Sequence, residues 1–456
     1  MSRFFRMMGW LCNRKQPQPN PDPLPGTEDV TVTANLGAAT GAGLTPTVDA
    51  PGALTLLGVG SPDNSLTAYP KESNVTTGDW YVDGSVSSSG DGTSLGTAFK
   101  TIAEGLSALS SGDVLVIKGG TYYISSTIYR STSWGSVTKV TRYGADEVII
   151  DGSGLAYDAF GIQFAGSVNE HWHGIHLKNV PGPEDQYDYN GQTWAFTDGA
   201  HDCKLTFCYA SHSGQTGFYG YTAYNIQLHD CAAWRLGDGS STDTNVPDGF
   251  AMTGNVNGGY TGIKYVRCVA ANCPDDGFDN YRNYGAQHYD CVAIECGYYW
   301  NGNPGGTSTG DNHGFKMGST ESNTGNNQAI GCFAIGCRVS GFDDNADDND
   351  VTMLRCTSVG NGYYGFQMGS SANATIHDNI AYGNGDTDGK DWGGTPDTYN
   401  TWNLGITDPE FESPGTYDYS VDSGSDCVGA GISGGNLGAS TTALLIAKEW
   451  LAKDLT

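Results

Sequence analysis

Residues 268–279 read C-V-A-A-N-C-P-D-D-G-F-D, and residues 291–297 restart the same phrase as C-V-A-I-E-C-G. Working outward, it recurs as C-Y-A-S-H-S-G from Cys208, C-A-A-W-R-L-G from Cys231, C-F-A-I-G-C from Cys332, C-T-S-V-G-N-G from Cys356 and N-I-A-Y-G-N-G from Asn379. The steps between these anchors are 23, 37, 23, 41, 24 and 23 residues. A Gly-Phe pair follows each of the six cysteines, with Phe at 218, 250, 278, 315, 342 and 366, at distances of 10, 19, 10, 24, 10 and 10 residues. The two long steps therefore carry most of their extra residues as insertions between Cys and Phe. A repeat of this length, built of short apolar strands broken by Gly, Asn and Asp, predicts an all-β chain wound as a parallel β-helix, one repeat per coil. Equivalent positions then stack ~4.8 Å apart. Inward positions become ladders, which accounts for the repeated Cys, Ala, Ile and Phe.

The composition agrees. With 38% apolar and 11% aromatic residues among 456, the chain is too apolar to be disordered. Its 67 glycines lack an every-third spacing, which excludes collagen. No apolar run approaches the ~18 residues of a membrane span. Lys and Arg number 22 against 50 Asp and Glu, a net charge of −28. That balance argues against nucleic acid and anionic membranes as partners. It would repel acidic glycans too, unless a bound cation reverses the local sign. The twelve cysteines form no C-x-x-C pair, so zinc ribbons and thioredoxin chemistry are not expected. They read as buried thiols stacked as small hydrophobes.

Four segments are expected. Residues 1–25 form a tail or attachment segment with a Pro/Gln/Asn run, and 26–78 a small β-rich module or linker. The β-helix spans 79–440, and 441–456 form a C-terminal helix or cap. Apolar spacing predicts a helix over Ala98–Leu109 that caps the first coil. A strand over Asp113–Ile117 and a turn over Gly119–Tyr122 follow. The stretch Ser440–Lys453 is expected to cap the other open end, since bare coil ends are unpaired sheet edges. Met1–Cys12 fits a secretory signal poorly, because Arg6 interrupts its apolar run. Many unpaired thiols point to folding in a reducing compartment.

The repeat register also aligns chemistry. The residues after Phe are Tyr219, Ala251, Asp279, Lys316, Asp343 and Gln367. Those two before it are Thr216, Asp248, Asp276, His313, Ser340 and Tyr364. Stacking puts Asp248 beside Asp276 and Asp279 beside Lys316, with Asp275 adjoining. Four carboxylates at this density repel one another unless a hard cation sits among them, and oxygen-only ligands suit Ca²⁺. The alternative is a solvated acidic turn. The same choice holds for a second cluster of Asp343, Asp344, Asp347, Asp348 and Asp350. Lys316 reads either as an ion-pair partner of Asp279 or as a base whose proton affinity its neighbours tune. Tyr298, Tyr299 and Trp300, in an insertion, either stack on sugars or pack that insertion. Arg282 and His313 complete the candidate substrate contacts.

V-P-D-G-F (246–250), C-P-D-D-G-F-D (273–279), H-G-F-K-M-G (313–318) and G-F-D-D-N (341–345) resemble, in order, the motifs of the family-nine polysaccharide lyases. These are calcium-dependent pectate lyases on a right-handed parallel β-helix, and the resemblance runs from about residue 80 to 435. It implies Ca²⁺ bound by Asp248, Asp275, Asp276 and Asp279, and Lys316 as the base. It departs at His313, where the family more often has Asn, and at the Cys ladder, where Asn is more usual.

The reading expected on these grounds is a lyase that cleaves an acidic, polygalacturonate-like polysaccharide by β-elimination. A glycoside hydrolase using the Asp275/Asp276 pair, a C5-epimerase and a non-catalytic tail-spike or adhesin subunit compete with it. A polysaccharide enzyme works outside the cell. It would be secreted by a nonstandard route or carried on a phage virion through residues 1–75.

Overall fold

The structure is a computed structural model that describes residues 47–49, 53–55 and 75–452, apart from 183–190, 238–246, 254–261, 300–309, 319–326, 346–350, 369–373 and 391–398. Three long sheets of parallel strands run side by side. The first has eleven strands, from Trp80–Val82 to Thr375–His377. The second has ten, from Gly120–Tyr123 to Ile380–Tyr382, and the third ten, from Ile128–Arg130 to Thr387–Lys390. A coil adds one strand to each sheet, as Lys264–Val266, Val269–Ala271 and Phe278–Asp279 do in turn. The architecture is a right-handed parallel β-helix, the hand that twisted parallel crossovers take.

The phenylalanine ladder sets the register of the third sheet. Phe218, Phe250, Phe278, Phe315, Phe342 and Phe366 pair in sequence down the strands. Their rings stack at 4.7–4.8 Å and within 6° of parallel. Each such ring buries ~1.5–3 kcal/mol worth of apolar surface. The glycine before each Phe is a close-approach position. A Cβ on Gly277 would lie 2.6 Å from the carbonyl oxygen of Gly314 and 3.0 Å from Cys296 Sγ. Gly249 and Gly314 meet equivalent neighbours, so the recurrent Gly-Phe is dictated by packing.

The thiols form ladders as well. Every cysteine among the described residues is reduced and buried. Their S–H groups lean on backbone carbonyls, as Cys268 does on Leu228 at 3.2 Å. Toward the C-terminal end the same positions become amides. The N–H of Cys356 donates to Asn379 Oδ1 at 2.8 Å, and that of Asn379 to Asn400 Oδ1 at 3.0 Å.

At the N-terminal end a helix over Ile102–Ala108 covers the first coil. It starts later than apolar spacing predicts because Phe99 is extended and bridges Val82. Thr101 then caps it: its hydroxyl accepts from the Glu104 N–H, and the Glu104 carboxylate accepts from the Thr101 N–H. The expected strand begins at Val114 rather than Asp113. The turn expected over Gly119–Tyr122 is instead a strand, Gly120–Tyr123, that opens the second sheet.

The C-terminal helix, Thr441–Ala452, does not close the coil end. It lies across the outside of the second sheet, where Ala443 and Ala447 bury against Val269, Val292, Ile294 and Phe333. Trp450 meets Trp234 edge-on at 5.4 Å. The end itself is closed by Asn400–Leu404, with Trp402 on Phe366 at 5.1 Å and Thr401 Oγ1 accepting from the Ala381 N–H. Upstream of the coil, Thr47–Asp49 and Ala53–Thr55 pair antiparallel. The rest of residues 1–74 lies outside the described residues. Among the described residues no helix is long and apolar enough to cross a membrane.

Burial pushes Cys203 and Cys208 up to about 12. At Cys268 burial is outweighed by hydrogen bonds with Cys231 and Cys291, which bring the thiol down to about 5. All of them are closed off from solvent, so a disulfide reagent cannot reach them. Native, reduced protein should therefore show none of these buried thiols to such a reagent, and denatured protein all twelve cysteines. More than one fast-reacting thiol before unfolding would contradict the ladder, since Cys12 alone lies outside the described residues.

Candidate active site

The third sheet places the charged row. Ala251, Asp279, Lys316, Asp343 and Gln367 pair in succession, each one residue past its Phe. The row two residues before Phe is held by backbone bonds. Gly249 N–H donates to Asp276 O, Gly277 N–H to His313 O and Gly314 N–H to Ser340 O. The two rows converge because the chain bends at the glycine between them. Lys316 Nζ lies 3.5 Å from Asp276 Oδ2 and 3.7 Å from Asp279 Oδ1.

Each aspartate is anchored through one oxygen to a backbone N–H. Asp248 Oδ1 accepts from Asp276 N–H at 3.0 Å, and Asp275 Oδ1 from Asn312 N–H at 2.9 Å. Asp276 Oδ1 accepts from His313 N–H at 2.6 Å, and Asp279 Oδ1 from Tyr281 N–H at 2.7 Å. Asp248, Asp275 and Asp276 each offer an oxygen within 4.8 Å of the others. Asp279 stands beside this trio, on the lysine. The fully buried Asp276 Oδ2 accepts no hydrogen bond. Gly310 leaves room next to Asp275, since a Cβ there would sit 2.8 Å from Asp275 Oδ1.

The electrostatics are those of crowded like charges. Burial, then the charges of Asp275, Asp279 and Asp276, push Asp248 well above the usual carboxylate range. Burial and Asp276 do the same to Asp275. Asp276 rises to about 6 through burial, against the opposing pull of Lys316 and His313. Two unit charges ~5 Å apart at an effective dielectric of ~20 repel by roughly 3 kcal/mol. An all-oxygen set of this kind, with a buried acceptor lacking a hydrogen bond, fits a hard divalent cation such as Ca²⁺.

Lys316 is buried, 8% exposed. Burial pulls its ammonium down, but the charges of Asp279, Asp276, Asp311 and Asp275 outweigh it and hold the group well above the usual lysine range. Asp311 is the partner that sequence reasoning missed. Its Oδ2 is 2.7 Å from Nζ, the shortest of the three ion pairs. Asp311 sits in the insertion between Cys296 and Phe315, off the repeat register; only its nearness to H-G-F-K hinted at it. Tyr281 is the second omission, its ring 5.5 Å from Nζ.

The candidate substrate residues divide. Arg282 lies over the same Tyr281 ring at 4.9 Å, so it joins the group. His313 is buried; its Nδ1 accepts from the Ser340 N–H at 3.3 Å, and its Nε2 faces Asp343 Oδ2 at 3.5 Å. Tyr299 is fully buried and its ring packs over Gly237, so it fills the insertion instead of stacking on sugar. Trp300 lies outside the described residues. Of the second acidic cluster, Asp343 and Asp344 are buried. Asp343 continues the Lys316 row, which a solvated turn would not do, and Asp347, Asp348 and Asp350 lie outside the described residues.

Residues 80–390 match the family described as Pel9A-like, right handed beta helix region. Pectate lyase L of Paenibacillus polymyxa (strain SC2) is 24% identical over 377 residues, 73% of this chain and 80% of that protein. Pectate lyase L of Dickeya dadantii (strain 3937) is 24% identical over 343 residues, 69% of this chain and 74% of that protein. The crystal structure of pectate lyase Pel9A superposes with a TM-score of 0.62 at 19% identity, covering 80% of this chain and 94% of that one. A rhamnogalacturonan lyase follows at 0.54 and 17%, covering 73% and 90%. With its ladders, its coil and more than half of its length matched, the chain belongs to the Pel9A-like right-handed β-helix family.

Proposed function

We propose that this protein is a calcium-dependent polysaccharide lyase that cleaves a 4-linked, pectate-like uronate polymer by β-elimination, with Lys316 as the base. The observation that carries this reading is a single buried amine set against carboxylates on adjacent coils, three of which bring oxygens together. Asp248, Asp275 and Asp276 would hold the cation, with Asp279 at its edge. When bound, Ca²⁺ supplies positive charge that offsets the uronate carboxylate and the charge that develops on it.

The remaining chemistry belongs to the chain. The C5 hydrogen of a uronate is removable because the adjacent carboxylate accepts the electron pair. Lys316, as a neutral amine, takes that proton. The electrons form the C4–C5 double bond and expel the O4 oxygen with its chain, leaving a 4,5-unsaturated sugar. Asp276, Asp279 and Asp311 fix Nζ in place. Their field also keeps it protonated, so the lysine is competent only when that field is balanced. Arg282, next to Tyr281, is placed to meet a substrate carboxylate. A polymer substrate puts the working enzyme outside the cell.

Polygalacturonate with added calcium should yield products with the ultraviolet absorbance of the unsaturated uronate, and a chelator should abolish it. Lys316→Ala should lower kcat by roughly 10²–10⁴-fold, the usual worth of a general base, while polymer binding persists. Cleavage without that absorbance and indifferent to chelator would mean hydrolysis, and full activity in Lys316→Ala would remove the base.

Stability gives a second check. A folded-state pKa near 6 against 3.8 for Asp276 means that this acid stabilises the fold below pH ~4 and loses that contribution as pH rises through about 6. Chelated wild type should therefore fall behind Asp276→Asn in unfolding free energy across this window, by a few kcal/mol at ~1.4 per pKa unit. Calcium should remove or reverse the gap. Equal pH profiles in chelator would show that burial does not raise the Asp276 carboxyl in this way.

A further inference from the structure

We propose that the substrate polymer, seated at Lys316, continues along the outer face of the third sheet toward the N-terminal coils. Tyr221 and Tyr129 there are stacking platforms for its sugar rings. That the polymer is a uronate rests on the lyase reading above. In this sheet Ile162, Trp194, Phe218 and Phe250 belong to the core, as do Phe164 and Phe196 two residues further along their strands. The residues between and beyond them therefore face outward. Register stacks one outward column as Tyr129, Gln163, Ala195, Tyr219 and Ala251, and the same column continues as Asp279 and Lys316. Two residues further along the strands, a second column carries Ala165, Thr197, Tyr221 and Thr253. Tyr281 follows Asp279 by the same two residues, and its ring lies 5.5 Å from Lys316 Nζ. The face is thus continuous with the site.

Two of these side chains stand out into solvent, Tyr129 at 60% and Tyr221 at 47% exposed. Gln163, Thr197, Tyr219 and Thr253 are half-buried, and Ala165, Ala195 and Ala251 are buried. An exposed tyrosine offers an apolar ring with a polar tip. That matches a pyranose, which carries C–H bonds on its faces and hydroxyls at its rim. At ~4.8 Å per coil, Tyr221 lies three coils from Lys316, ~14 Å, and Tyr129 six coils, ~29 Å. One sugar cannot reach from the base to either ring; a chain can.

Charge sets the direction. Neither column carries an ionisable acid or a cation before Asp279, in a chain with 50 acidic residues. Asp198, in the turn beyond Thr197, accepts from that residue's hydroxyl at 3.0 Å. On the other side of Lys316 the next coil brings Asp343, paired with it in register, and then Asp344. A polyuronate leaving the site that way meets carboxylates, and one running toward Tyr221 does not. Nucleic acid fits poorly, since neither column holds a cation for its phosphates. A neutral face set with tyrosines suits a sugar chain whose charge is met at the site itself.

The test compares polygalacturonate with a galacturonate trimer, which is too short to reach from Lys316 to Tyr221. Changing Tyr221→Ala and Tyr129→Ala together should raise KM for the polymer about tenfold, equivalent to ~1.4 kcal/mol. Turnover number on the polymer and both constants on the trimer should stay those of wild type, as should the unfolding midpoint. Tyr221→Phe, which keeps the ring, should leave KM unchanged. Tyr123→Ala, at a tyrosine 75% exposed on the second sheet, should behave as wild type. A binding arm needs no turnover. Lys316→Ala protein with calcium should be retarded in gels holding polygalacturonate, and adding the two tyrosine changes should weaken that grip to the same degree. An unchanged KM in the double variant, an equal loss on the trimer, or no tyrosine-dependent retardation would overturn the track. Unsaturated product formed with unchanged KM would keep the lyase and remove the track. Tyrosine-dependent retention without unsaturated product would keep the track and remove the lyase.

Discussion

Everything in this molecule is governed by stacking in register. A residue on one coil rests on its counterpart ~4.8 Å away, and the side chain that fits once must fit again. Phenylalanine solves the problem with parallel rings at 4.7 Å. Cysteine and alanine solve it by being small, and glycine by having no Cβ where the next backbone comes within 2.6 Å. The rule extends to charge. A column of identical acids would repel at every step, so Asp279, Lys316 and Asp343 alternate in sign along the third sheet. Where the alternation fails, at Asp248, Asp275 and Asp276, the fold holds carboxylates that burial and mutual repulsion push toward protonation.

The same rule decides what the sequence discloses. The Lys316 row was legible because it obeys the repeat: one residue past each Phe is one position in space. Asp311 was not, because it lies in an insertion whose path no periodicity fixes, although it makes the shortest ion pair to Lys316. Tyr299 misled for the same reason, since an aromatic in an insertion can face either way. The C-terminal helix left a signal that went unused. Strands such as V-A-I (292–294) and F-A-I (333–335) are apolar at all three positions, so both their faces must be covered. Strand pairing at Gly120–Tyr123 escaped because a Gly-Gly pair reads as a turn, whereas here it opens a sheet edge.

Charge is segregated as sharply as residue type. The chain carries −28, yet its first sheet stacks half-buried Lys139, Lys204 and Lys264 and buried His171, His173 and His229 along successive coils. A solenoid makes such division easy, since each of its faces is a separate column and salt screens faces that lie more than a Debye length of ~8–10 Å apart.

The stoichiometry at Lys316 separates two readings of that residue. A structural ion pair needs one carboxylate per amine, and burying more than that costs free energy that a stable fold has no reason to retain. Here Asp276, Asp279 and Asp311 all lie within 3.7 Å of one Nζ. Asp248 and Asp275 crowd the same pocket, where burial and the charge of Asp275 raise the proton affinity of Asp248, and burial and the charge of Asp276 that of Asp275. Removing charge from the cluster would stabilise the metal-free protein. Retaining five acids against one base therefore makes physical sense if a further positive charge completes the set. The lysine, tethered by carboxylates that such a charge would neutralise, is then held ready without being permanently locked.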